Sequence, residues 1–192
     1  NTTGTANIAI GYQALFDNTT GNYNTAIGWK SLFENTTAIM NVAVGYDAMR
    51  DNTTGANNTA IGVEALANNT TAANNTAVGK DSLVANTTGH SNVAVGKGAF
   101  VANVDGVQST VVGMDAFKTA TSDDGAAIFG YLAGRDANGA THTTLIGSYA
   151  GYKISTGDKN TFVGTESGPQ GGAGTGDNNT GVGYLALSAN TT

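Results

Sequence analysis

The chain has 192 residues, a formal net charge of −6, 11 % charged and 7 % aromatic residues, 28 glycines, one proline and no cysteine. This excludes disulfides and thiolate metal sites, and the negative balance argues against a nucleic-acid backbone as partner. No apolar run approaches the roughly 20 residues that cross a bilayer, glycine lacks the every-third spacing of collagen, and charge is too sparse for an acidic disordered segment.

A fixed period organises the rest. Gly11, Gly28, Gly45, Gly62, Gly79, Gly96, Gly113, Gly130, Gly147 and Gly164 are separated by nine successive intervals of 17 residues, and Gly183 follows after 19. Self-similarity at such a period marks stacked repeats. Numbering each repeat from its glycine as position zero, position −1 is always apolar and mostly β-branched: Ile10, Ile27, Val44, Ile61, Val78 and Val95 open the series. Position −3 is mostly Thr or Val. The alternation predicts a short strand with one face fixed, ended by the glycine.

Beyond the glycine, positions +1 and +2 carry Trp29, Lys30, Asp47, Glu64, Lys80 and Asp81 and are expected to face water. Position +3 is Ala or Ser, and position +4 is Leu15, Leu32, Met49, Leu66 and Leu83, then Phe100 and Phe117. An Asn-Thr-Thr phrase follows at Asn18, Asn35, Asn52, Asn69 and Asn86, and reads as turn chemistry because Asn tolerates the left-handed region. These phrases also match the N-glycosylation acceptor pattern, although ladder hydrogen bonding between stacked asparagines explains them without a sugar.

Each repeat thus predicts two short extended pieces and two turns. A unit this small buries an apolar side only by stacking on its neighbours. We expect an all-β parallel β-solenoid, or β-roll, of eleven 17-residue coils. At about 4.8 Å per coil it would be a rod roughly 50 Å long. Residues 1–192 form a single array: regular coils over 1–113, divergent coils over 114–178, and a regular coil over 179–192. Both ends stand in the same Asn-Thr-Thr phase, which reads as a stretch of a longer protein.

The divergent coils carry a compensating exchange. Position −2 is alanine from Ala9 to Ala94, then Val111, Ile128, Leu145 and Phe162, while position +4 becomes Gly134, Gly151 and Gly168. A side chain gained at −2 as one is lost at +4 predicts that both share one packed volume. It would bury −2, −1 and +4 together, so that a second chain lies against the roll. Residues 167–177 hold the two-residue insertion and the only proline, and are expected to bulge and to break the ladder register locally.

No catalytic constellation emerges. His90 and His142 lie about three coils apart, and the acidic pair Asp123-Asp124 is expected on an exposed turn. The Gly-Gly-x-Gly-x-Asp phrase of calcium-binding solenoids is missing, and the glycine-rich segments lack the lysine and helix of a phosphate loop. We therefore expect no enzyme, metal or cofactor. Adjacent threonines would point to opposite sides, which weakens an ice-binding face.

The phrase N-T-A-I-G-x-x-A-L-x-x-N-T-T-G, carried with small changes by residues 24–38 and 58–72, resembles repeats of phage tail fibres, and its A-[IV]-G strand resembles the heads of trimeric autotransporter adhesins. The longer 17-residue period and the Asn-Thr-Thr turn depart from the adhesin heads. The resemblance implies a left-handed homotrimer, and an extracellular place on a virion appendage or a bacterial cell surface. The expected function is a structural, receptor-directed fibre segment, a rigid multivalent rod for host or surface attachment. Its expected partners are copies of itself and a surface glycan or protein receptor, with no nucleic acid and no membrane insertion. Candidate receptor contacts lie in the divergent coils, at Tyr149, Tyr152, Pro169 and Gln170. The competing readings are a monomeric ice- or glycan-binding solenoid and an end-to-end polymerising filament.

Overall fold

A computed structural model describes residues 1–192. Eleven three-residue strands succeed one another: β1 Ile8–Ile10, β2 Thr25–Ile27, β3 Val42–Val44, β4 Thr59–Ile61, β5 Thr76–Val78, β6 Val93–Val95, β7 Thr110–Val112, β8 Ala127–Phe129, β9 Thr144–Ile146, β10 Thr161–Val163 and β11 Thr180–Val182. They form one parallel sheet in sequence order. Like positions pair throughout, as in Ala26 with Ala43 and Ile27 with Val44. The chain is a β-solenoid in which eleven strands delimit ten complete turns.

The remainder of each coil is bend rather than a second strand. Its backbone alternates in hand, because positions −5, +2 and +4 sit in the left-handed region, as in Met40 (φ 58°), Asp47 (φ 51°) and Met49 (φ 49°). Each such residue costs about 1–2 kcal/mol, which burial and coil-to-coil bonding offset. Met49 N–H, for example, donates to Ala65 C=O at 3.0 Å, and Leu66 N–H to Ser82 C=O at 3.0 Å. The stack is held by its bends as much as by its sheet.

The glycine column follows from close approach. Gly62 has φ +140°, and a Cβ there would lie 2.6 Å from the carbonyl carbon and oxygen of Gly79. No side chain fits between the coils at that corner.

The core runs along the axis as three columns. The −2 alanines (Ala26, Ala43, Ala60, Ala77, Ala94) are fully buried, facing +3 (Ala48, Ala65, Ser82, Ala99) and +4 (Leu32, Met49, Leu66, Leu83, Phe100). Leu15 joins them at the first coil. The −1 residues stand elsewhere. Ile10, Ile27, Val44, Ile61, Val78 and Val95 form a ladder on the outward face of the sheet, with Ile10 59 % and Ile61 42 % exposed and the others half-buried. The reason is the period of two: a three-residue strand that turns its middle residue inward must turn both flanks outward. The expectation that −1 lies in the core of the chain is corrected accordingly.

The exchange in the divergent coils is a matter of shared space. A Cβ added to Gly134 would come within 2.7 Å of Leu145 Cδ1 and 2.9 Å of Phe117 Cδ2. At Gly151 it would lie 2.7 Å from Leu145 Cδ2, and at Gly168 it would overlap the Phe162 ring. Ile128, Leu145 and Phe162 are all buried, filling from −2 the room that leucine fills from +4 in the regular coils.

The insertion leaves the strand register intact. Thr161 still pairs with Thr180 and Val163 with Val182 across the 19-residue interval. Lys153 N–H bonds Pro169 C=O, and Ser155 N–H bonds Gly174 C=O, both at 2.9 Å. The two extra residues are thus taken up between 169 and 174, where Gly171 has open space around it.

Candidate functional site

Two asparagine ladders hold the bends opposite the sheet. Asn18, Asn35, Asn52, Asn69 and Asn86 are buried, and none is in the left-handed region, so they are interior struts rather than turn formers. Each Nδ2 donates to the Oδ1 of the preceding one, at 2.9 Å from Asn35 to Asn18 and 2.8 Å from Asn69 to Asn52. Each also donates to a carbonyl three residues on, as Asn52 does to Gly55 at 3.0 Å. With the amides buried and bonded twice, a sugar has no access to them. The second ladder was not anticipated. At −4, Asn24, Asn41, Asn58, Asn75 and Asn92 accept at Oδ1 from the next coil's N–H and donate from Nδ2 to the next coil's bend, as Asn41 does to Gly55 at 2.8 Å. The repeated Asn before each strand was its signal.

What remains for contact is the outer surface, which has three parts. The first is the outward face of the sheet, where −3 and −1 side chains form an apolar and threonine-rich stripe along all eleven strands, with Phe129, Ile146 and Val182 among its most exposed members. The second is the +1 corner. It is exposed as expected at Trp29 and Tyr46, whereas +2 is drawn inward and Asp47 is buried, 3.6 Å from Arg50. Tyr12, Trp29 and Tyr46 stack on one another at 4.3 and 6.5 Å between centroids. Ring faces that cover one another leave mainly edges for a ligand.

The third part is the divergent corner. There the rings no longer stack: Tyr131 meets Tyr149 edge-on at 5.4 Å and 84°, and Tyr149 meets Tyr152 at 5.3 Å and 55°. The Arg135 guanidinium lies 4.2 Å over the Tyr152 ring. Asp136 accepts from Arg135 Nη2 at 2.9 Å and from Lys153 Nζ at 2.7 Å. The hydrogen bond from Arg135 holds the Asp136 carboxyl below its ordinary range and raises Arg135 in turn. Desolvation, then the neighbouring Tyr131, pushes Tyr149 upward.

Of the four expected receptor contacts, Tyr149 and Tyr152 are half-buried with part of each ring open to solvent. Pro169 is buried and is corrected: it continues the coil edge, and the pyrrolidine ring packs where a Gly174 side chain would stand. Gln170 is turned inward, donating from Nε2 to Tyr149 C=O at 2.8 Å and Gly168 C=O at 3.2 Å. It supports the tyrosines from behind. Arg135 and Lys153 are the members that the sequence reading missed. Their signal was the 17-residue period that sets Arg135 against Tyr152 and Lys153 against Asp136.

The acidic pair is split. Asp124 Oδ1 accepts from Val107 N–H at 2.8 Å. Asp123 is fully buried, against expectation, because Ala120 and Ala137 replace ladder asparagines and leave room for it. Its Oδ1 accepts from Gly139 N–H at 2.7 Å, while Oδ2 has no partner. Burial raises its pKa, partly countered by the backbone bonds, with Asp158 and Asp124 adding to the rise.

His90 and His142 occupy different columns and converge on nothing, no group of three or more His, Asp or Glu side chains could hold a metal ion, and the surface has no pocket. The hydroxyls of Thr19, Thr36, Thr53 and Thr70 donate to carbonyls of the following coil, so within each Asn-Thr-Thr phrase it is the exposed second threonine, at Thr20, Thr37, Thr54, Thr71 and Thr88, whose hydroxyl is not spent on the stack. No family model, curated protein or solved structure matches this chain.

Proposed function

We propose that the chain is a segment of a homotrimeric, receptor-directed fibre, the shaft or head of a phage tail fibre or bacterial surface adhesin, and that it works outside the cell as a stiff multivalent rod. The observation that carries this is the outward ladder. A single chain leaves Ile10, Ile61, Phe129, Ile146 and Val182 on one open stripe that repeats with the coil. Exposed apolar surface of that extent marks an interaction face, and another copy presents the same spacing, coil for coil. Two further copies would cover the ladder and give the sheet the second buried face that its β-branched residues suit. The receptor arm is the divergent corner around Tyr131, Tyr149, Tyr152 and Arg135, where the rings no longer stack face to face and a cation stands among them. Three copies of a weak site on one rod raise avidity without new contacts.

Two variants test the two arms. Ile61→Asp with Val95→Asp keeps the inward columns untouched and should convert the assembly to folded monomers by light scattering. Tyr149→Ala with Tyr152→Ala should leave assembly intact and reduce retention on host cells or target surfaces. Unchanged mass in the first, or unchanged retention in the second, would remove that arm.

A further inference from the structure

We propose that Asn138-Gly139 is a self-processing site, at which the fold promotes closure of Asn138 to a succinimide and its hydrolysis to aspartate and isoaspartate. This is the only Asn-Gly step in the chain, and both residues are exposed, in the bend between β8 and β9. Glycine leaves the attacking nitrogen unhindered by a side chain.

Three groups converge on the step. The Gly139 N–H, whose nitrogen is the nucleophile, donates to Asp123 Oδ1 at 2.7 Å. The Asn138 side-chain carbonyl, the electrophile, accepts from Thr121 Oγ1 at 3.0 Å. The Asn138 N–H is pinned to Ser155 C=O at 2.8 Å, which fixes the backbone on which the ring would close. The second oxygen of Asp123 is buried and unpartnered, free to take up a proton. Burial together with Asp124 and Asp158 makes this carboxylate a stronger base than an exposed one. Base, nucleophile and oxyanion donor are thus the parts that amide chemistry requires. The regular coils have none of them: the position of Asn138 is a threonine there, whose hydroxyl is spent on the next coil.

The step balances. Gly139 N attacks Asn138 Cγ, and its proton passes to Asp123. The new N–Cγ bond forms, the Cγ–Nδ2 bond breaks, and Asp123 returns the proton to the departing ammonia. Water then opens the ring at either carbonyl. The aspartyl product adds a negative charge beside Asp123, Asp124 and Asp158, and the isoaspartyl product also adds a backbone atom to a coil of fixed length. Either loosens the stack at this coil, so the reaction would act as an ageing mark on an otherwise regular rod. It is independent of the fibre reading.

The test is peptide mapping of the whole chain held near neutral pH, following the amide-to-acid mass gain and the isoaspartate at residue 138. The folded chain should convert at least about tenfold faster than the same chain in denaturant. Asp123→Asn keeps the acceptor oxygen and loses the basicity, so its rate should fall to the denatured one. Thr121→Val should slow conversion severalfold, with far-UV circular dichroism unchanged in both. Conversion of the folded chain no faster than that of the denatured one, or an Asp123→Asn variant that keeps the folded rate, would overturn the proposal.

Discussion

A buried asparagine in this array meets three demands with one side chain. Asn52 donates to Asn35 Oδ1 at 3.1 Å and to Gly55 C=O at 3.0 Å, and accepts from Asn69 at 2.8 Å. Removing it strands one N–H of Asn69 and the Oδ1 of Asn35, while Gly55 C=O keeps its bond from Asn41; each stranded group costs about 1–3 kcal/mol. Asn52→Ala should therefore lower stability by about 2–5 kcal/mol in a denaturant titration, far more than removal of an exposed residue such as Asn68. Asp123 shows what happens where the ladder stops. A buried carboxyl replaces an amide, and burial raises its folded pKa above the unfolded value. Its contribution to stability is then full below the unfolded carboxyl pKa and is lost as pH rises through the folded one. Asp123→Asn should remove that loss, so thermal midpoints of variant and wild type should converge at acid pH and separate in favour of the variant as pH rises. A constant gap across pH would show that Asp123 is not the titrating group.

At the scale of one coil, the −2 and +4 columns behave as one volume. Gly151→Leu introduces a side chain that Leu32 carries in the same left-handed conformation, so the backbone permits it. Leu145 does not, since it already occupies the space. We expect Gly151→Leu to destabilise by about 1–3 kcal/mol, and Leu145→Ala in the same chain to recover much of that. A double-mutant cycle should yield a coupling of about 1 kcal/mol or more; additive effects would place the two residues apart. The exchange was legible in the sequence because volumes trade between two positions of a strict repeat. Strand positions, the glycine column and the leucine column were legible for the same reason. The sense of the strand was legible at −2, because the run Val111, Ile128, Leu145, Phe162 grows as +4 shrinks and only an inward position needs to do so, whereas isoleucine and valine at −1 read as core as well. The left-handed residues at +2 and +4 were hidden because Lys, Asp, Glu and Leu carry no conformational signature. Of the residues expected at the candidate corner, Tyr149 and Tyr152 reach the surface, while Pro169 is buried because the bulging loop begins one residue later.

The whole molecule is a rod with two kinds of surface. Its corners carry variable, hydrogen-bonded or ring-packed side chains, and the outward sheet face carries one apolar stripe from end to end. Ten turns of matched register repeat that stripe once per coil along the sheet. The central claim is that this face is an interface among three chains. The most direct measurement is the mass of the purified chain by light scattering, with a denatured control. The account predicts three times the 19.2 kDa of one chain for the folded material, falling to a single chain in denaturant. A folded, stable particle of 19.2 kDa, with the ladder of Ile61 and Ile146 open to water, would contradict it.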